Sequence, residues 1–103
     1  MFLLVHPVGS VIGNATYGNY LAIYQNCTVG ADKGEYPVFG EGTILYSRTT
    51  VLGASHIGDD VVFASNSVVG NADVPSHSLV VGQYPHHRVL PSTQTTRDRL
   101  FGG

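Results

Sequence analysis

From Phe39 onward a large apolar residue returns at every sixth position: Phe39, Leu45, Val51, Ile57, Phe63 and Val69. Four residues after each large residue up to Phe63 stands something small or β-branched: Thr43, Thr49, Ser55, Val61 and Ser67. A helix face needs spacings near 3.6 and a single half-buried strand needs alternation, so a sustained period of six fits neither. Gly40, Gly42, Gly53, Gly58, Asp59, Asp60, Asn66, Gly70 and Asn71 gather between the apolar positions. Those residue types tolerate the left-handed backbone of a sharp corner. The pattern therefore predicts a coil of short strands joined by tight turns. Each hexad forms one flat face, and three hexads form one triangular rung. The large residue points into the prism, the small one fills the corner, and rungs pair as parallel strands about 4.8 Å apart.

Upstream the same rhythm continues through Val11, Tyr17, Ile23 and Val29, with a register near Ile12 and Gly13 that is ambiguous by one residue. Between Val29 and Phe39 the period breaks at Gly30-Ala31-Asp32-Lys33-Gly34-Glu35-Tyr36-Pro37. Glycine, charge and proline make this a poor strand, and it reads as a loop thrown out from one corner. Insertions in solenoids often lie on the binding face. A last rung or cap is expected near Leu79-Val80-Val81-Gly82, which leaves roughly three or four rungs in all. The domain division read from this pattern is residues 1–90 as the repeat coil and 91–103 as a partly mobile tail.

Composition narrows the function classes. In 103 residues there is room for one small domain, and a partner subunit would help to stabilise it. Charged residues make up 12% of the chain, against roughly a quarter in an average soluble domain. A net charge of −2 gives no electrostatic footprint for nucleic acid or an anionic membrane. The single Cys27 excludes an internal disulfide framework and fits a reducing, cytoplasmic setting. The apolar start from Met1 to Val5 is too short for a signal peptide, and no stretch has the length of a membrane span.

Several segments carry a resemblance. The run Ile23-Tyr24-Gln25-Asn26-Cys27-Thr28-Val29-Gly30, the gapless stretch from Pro37 through Val69, and His6-Pro7-Val8-Gly9-Ser10-Val11-Ile12-Gly13 together resemble the serine O-acetyltransferases. The last of these matches that family's His-x-x-Gly-x-Val-x-Gly. The resemblance covers residues 3 to 90. It implies an all-β fold, a left-handed parallel β-helix of hexapeptide repeats with a protruding loop near residues 30–37, assembled as a homotrimer. The handedness rests on the resemblance alone, since the general rule for parallel crossovers favours the other hand. It also implies an acetyltransferase that moves acetyl from acetyl-CoA to a hydroxyl group, of serine or of another small hydroxyl or sugar acceptor.

Under that resemblance His6 is the catalytic base, since a neutral imidazole is well matched to remove a hydroxyl proton near pH 7. The family's supporting aspartate lies in a preceding rung that would fall before Met1. Val5 replaces an acidic residue, and the spacing from His6 to Gln25 is one residue short. Where the family has Arg-His-Pro, this sequence has Glu35-Tyr36-Pro37, which makes Glu35 and Tyr36 the acceptor-binding candidates. An acidic residue repels a carboxylate and cannot replace arginine's bidentate grip, so a neutral hydroxyl compound fits the altered pocket better than serine. By position Ala31, Ser47 and Ser65 correspond to the family's acetyl-CoA contacts. Its terminal Gly-x-Pro-x-Arg pattern appears stretched as Gly82-Gln83-Tyr84-Pro85-His86-His87-Arg88, with Arg88 toward the phosphates.

Other residues read as structural. Cys27 takes a small-residue slot, Asp59 and Asp60 are turn residues, and Arg48 is an exposed corner or an intersubunit contact. His56, His77, His86 and His87 read as surface residues, without the third ligand a metal site needs, so no metal is expected. Two competing functions stand beside the enzyme. One is a truncated or degenerate trimeric coil without catalysis. The other is a β-helix carbonic anhydrase, which would require three histidines converging on zinc.

Overall fold

The structure is a computed structural model that describes residues 2–4, 9–13 and 15–92. His6 and the segment 93–103 lie outside the described residues, so neither the base nor the tail is placed by it. The described chain is all β, with thirteen short strands and no helix. They run β1 (Phe2–Leu4), β2 (Val11–Ile12), β3 (Leu21–Ile23), β4 (Thr28–Gly30), β5 (Val38–Phe39), β6 (Thr43–Leu45) and β7 (Thr50–Leu52). There follow β8 (His56–Ile57), β9 (Val61–Phe63), β10 (Val68–Gly70), β11 (Asp73–Val74), β12 (Ser78–Val81) and β13 (Arg88–Pro91).

From β3 to β12 each strand pairs in parallel with the third one along, while β1 pairs with β3 and β2 with β4, so three sheets wrap one prism. Sheet A has the order β1-β3-β6-β9-β12-β13, sheet B β10-β7-β4-β2, and sheet C β11-β8-β5. The hexad expectation holds. Phe39, Leu45, Val51, Ile57, Phe63 and Val69 are all buried in one continuous core, and Thr43, Thr49, Ser55, Val61 and Ser67 are buried with them. Between β7 and β10 the register advances by eighteen residues, Thr50 pairing with Val68, which is three hexads per turn. Between β4 and β7 it advances by twenty-two, Thr28 pairing with Thr50, so the loop after Gly30 adds four residues to its turn.

The ambiguous register upstream resolves in favour of Ile12. Ile12 pairs with Val29 and Val11 with Thr28, so Ile12 takes the register of the core column, although at this end of the coil it is itself 40% exposed, against 63% for Val11. Ser10 fills the matching corner slot. Its hydroxyl accepts from Cys27 N at 3.1 Å and donates to Tyr24 O at 2.9 Å. The other end also departs from expectation. After β12 the chain does not stop at Gly82: Tyr84 N donates to Val68 O at 2.7 Å, and the chain then reverses into β13. That strand adds to β12 in antiparallel register, Val81 opposite Arg88 and Ser78 opposite Pro91. Pro91 thus belongs to sheet A rather than to a tail.

Three corners join the sheets. Corner A/B stacks Cys27, Thr49 and Ser67, each bonded through its side chain to a main-chain carbonyl. Cys27 Sγ lies 3.2 Å from Tyr46 O, and Thr49 Oγ1 donates to Tyr46 O at 2.7 Å. Burial pushes the Cys27 thiol up from its ordinary range, more than the nearby main-chain hydrogen bonds draw it down, so it packs as a small apolar residue. At corner C/A a column of Gly18, Gly40 and Gly58 meets the backbone of the next rung. A Cβ on Gly40 would stand 2.8 Å from both C and O of Gly58, so only glycine lets these rungs approach.

Within sheet A the inward column Leu21, Thr43, Val61 and Ser78 holds one misfit. The Thr43 hydroxyl is buried and has no hydrogen-bond partner. Valine already fills the equivalent slot one rung on, at Val61, so the site accepts that shape. Replacing Thr43 with valine is expected to stabilise the fold by about 1 kcal/mol, because a buried unpaired hydroxyl costs roughly 1–3 kcal/mol. Equilibrium urea unfolding measures this, and a lower midpoint for the variant would contradict it. The outer side of sheet A carries a second, smaller apolar cluster of Ala22, Ile44 and Val62, all buried, with Tyr24, Tyr46 and Leu79 packed against it.

Candidate active site

The candidate residues fall on two corners at opposite edges of sheet B. At corner A/B, Ser47 and Ser65 occupy equivalent positions on successive rungs, and their hydroxyl oxygens are 3.4 Å apart. Left-handed backbone at Arg48 and Asn66 (φ 62° and 67°) makes the turn that presents them. Ser65 opens into a groove of about 460 Å³ lined by Ser65, Asn66, Gly82, Gln83, Tyr84 and His86. Gln83 Nε2 donates to Asn66 O at 3.4 Å and closes one wall. Tyr84 is 57% exposed, and its ring lies 6.1 Å from that of His87. Arg88 is exposed at the start of β13, opposite Val81, and is not among the residues lining the groove.

At corner B/C stand Ala31, Glu35 and Tyr36, all exposed. The loop expected here is a miniature hairpin. Asp32 N donates to Glu35 O and Glu35 N to Asp32 O, both at 3.0 Å. Its two-residue tip, Lys33 and Gly34, takes left-handed backbone (φ 51° and 76°), as a type I′ turn requires. Pro37 is buried at its base and starts the next face. The structure thus brings Ser47 and Ser65 together and sets Ala31, Glu35 and Tyr36 together, but it holds the two groups on different corners.

His56 and His77 are exposed beside carboxylates, whereas His86 lines the groove and His87 Nδ1 is buried without a hydrogen-bond partner. His56 Nδ1 lies 3.3 Å from Asp73 Oδ1, and His77 Nδ1 lies 3.2 Å from Asp60 Oδ2. Asp59 serves its turn, accepting from Glu41 N at 2.9 Å. Among the described residues no three His, Cys, Asp or Glu side chains gather at metal-binding distance. No helix among them is long and apolar enough to cross a membrane.

The sequence points to residues 82–88 as the segment toward the phosphates, but not to the way it closes on Ser65 and Asn66. Asn66, Gln83, Tyr84 and His86 come together only because the chain reverses after Gly82, and no hexad pattern signals that reversal.

No family model matches the chain. Curated relatives do: serine acetyltransferase 2 of Arabidopsis thaliana is 41% identical over 85 residues, which is 78% of this chain and 26% of the relative. Among solved structures, the serine acetyltransferase of Vibrio cholerae O1 superposes with a TM-score of 0.81 at 29% identity, over 94% of this chain and 38% of that one. This chain is a serine acetyltransferase-like hexapeptide-repeat protein. It spans between about a quarter and a half of the length of the curated relatives it matches. A serine acetyltransferase structure solved in complex with CoA superposes on this serine acetyltransferase-like chain with a TM-score of 0.74 at 26% identity. That match covers 86% of this chain and 37% of the other.

Proposed function

We propose that the chain forms the coil of an acetyl-CoA-dependent O-acetyltransferase, working as a homotrimer in the cytoplasm. The observation that carries the reading is the groove at corner A/B, continuous with the stacked Ser47 and Ser65, in a coil whose relative is solved with CoA bound. Pantetheine is a narrow amide chain, and a corner offering hydroxyls and main-chain groups at the spacing of the rungs suits its hydrogen-bonding needs. The purine and phosphate end would extend toward Tyr84, His86 and Arg88.

The separation of the two corners supports the trimer. Ala31 and the hairpin sit across sheet B from Ser47 and Ser65, so one chain does not close a site around both. A cyclic three-fold arrangement sets corner B/C of one subunit against corner A/B of the next. The acyl donor then lies between subunits, with the hairpin carrying Glu35 and Tyr36 over the acceptor. A cytoplasmic setting accords with the unpaired Cys27.

In this reading His6 accepts the proton of the acceptor hydroxyl as its oxygen attacks the thioester carbonyl. The carbon–sulfur bond breaks, CoA leaves as the thiolate, and the proton held on the imidazole returns to it. Net, one ester forms and one thiol is released. The exposed Glu35 at the acceptor end disfavours a carboxylate, so neutral sugars and alcohols are expected to react faster than serine. The test is thiol release from acetyl-CoA by the purified protein with L-serine and a panel of neutral sugars. Acceptor-dependent release supports the reading. Release at the no-enzyme rate with every acceptor would leave a coil that serves only as scaffold.

A further inference from the structure

We propose that Asn71 is a positioning residue that latches the Ala31–Pro37 hairpin against the coil; its role in acceptor binding rests on the reading above. A two-residue hairpin held by one pair of main-chain hydrogen bonds is marginal by itself in water. Here it has an anchor two rungs away. The Asp32 carboxylate accepts from Asn71 Nδ2 at 3.0 Å, across 39 residues of sequence. The other end of the same amide is committed too, since Asn71 Oδ1 accepts from Ala54 N at 2.8 Å. That second bond fixes which way the amide faces: a main-chain N–H needs the oxygen, so the NH₂ is left for the carboxylate.

The intervening rung is shaped to let the two ends meet. Gly53 lies between them, and a Cβ there would stand 3.0 Å from Asp32 Cβ and 3.0 Å from Asn71 Cγ. Its φ of 68° also belongs to glycine. Asn71 itself has left-handed backbone (φ 49°), which asparagine tolerates, and Asn71 N donates to Leu52 O at 3.1 Å. The turn that carries it is one residue shorter than the one before. Register advances by seventeen between β8 and β11, His56 pairing with Asp73, against eighteen between β5 and β8, Val38 pairing with His56. Hairpin, Gly53 and Asn71 thus make one unit, and the direction in which Glu35 and Tyr36 point is set in the free protein.

Lys33 at the hairpin tip is the only lysine in the chain, which gives a direct readout. Limited trypsin digestion of the native protein, with fragments assigned by mass, follows cleavage after Lys33. Asn71→Gly keeps the backbone conformation and deletes the amide, while Asp32→Ala deletes the acceptor. Each is expected to raise the initial cleavage rate roughly tenfold, the order of effect for a lost hydrogen bond to a charged group. The double variant should be no faster than Asn71→Gly alone, because that change already removes the contact made by Asp32. Asn26→Gly, at a left-handed corner position away from the hairpin, should leave the rate unchanged. Equal cleavage of wild type and both single variants, or additive effects in the double variant, overturns the latch.

With an acceptor that supports thiol release, Asn71→Gly should raise the acceptor KM several-fold and leave the acetyl-CoA KM unchanged. A loosened hairpin with an unaltered acceptor KM would overturn the positioning role. Absence of thiol release in the wild type would overturn the enzyme reading alone, since the digestion reports the latch without any substrate.

Discussion

Phe63→Ala should lower the melting temperature by at least about 12 °C, and it is the most damaging single truncation expected in this core. Phe63 has no exposed surface and is the largest of the fully buried side chains. It lies in the inward column of sheet A, with Leu45 one rung before it and Val80 one rung after. A coil cannot collapse around the hole. The rungs above and below are held at fixed spacing by their own strand pairing, and the glycine column at corner C/A already brings backbones as close as they go. The cavity term is therefore kept nearly whole, and the loss comes to about 3–5 kcal/mol. Against the 5–15 kcal/mol typical of a folded domain, and with the modest burial of a chain this small, that is a large share of the total. Thermal unfolding followed by circular dichroism reads it, and a shift of only a few degrees would show that the rungs move together to fill the space.

His6→Ala is expected to lower the rate of acetyl transfer by roughly 10²- to 10⁴-fold, the contribution of a positioned general base. The proposal rests on the His-x-x-Gly-x-Val-x-Gly match of residues 6–13, since the histidine lies outside the described residues. An alkyl hydroxyl holds its proton far above neutral pH, so its attack on a thioester needs that proton removed as the bond forms. The loss should fall on kcat, with the KM for acetyl-CoA little changed, because the base meets the acceptor rather than the pantetheine arm. Turnover equal to wild type with a working acceptor would remove His6 from the mechanism.

Much of the fold was legible because one residue in six must point inward and must be large. That requirement picks out Phe39 through Val69 without any knowledge of tertiary contacts, and all six are buried. Cys27 was equally legible, since the slot four residues after Ile23 has room only for a small side chain. The pattern failed where a turn gained or lost a residue. A one-residue shortening moves the core slot from Val11 to Ile12, and local sequence cannot separate two adjacent β-branched residues. Nor does a period of six foresee Ala22, Ile44 and Val62. They alternate away from the main core yet are buried in a second cluster, which depends on packing over the outer side of sheet A.

The site divides in the same way. Ser47 and Ser65 are eighteen residues apart, one full turn, so their stacking is implied once the period is known. The groove beside them is not implied, because Gln83, Tyr84 and His86 reach it through an antiparallel reversal that breaks the repeat. The bond between Asp32 and Asn71 joins an inserted hairpin to a shortened turn, two irregularities that carry no shared signal in the sequence.

Isothermal titration of acetyl-CoA into the purified protein, with its oligomeric state fixed beforehand by sedimentation, tests the central claim most directly. The account predicts a trimer that binds acetyl-CoA saturably at close to one site per chain. A protein that takes up no acetyl-CoA at millimolar concentration would contradict it, leaving the repeat as a scaffold without a donor site.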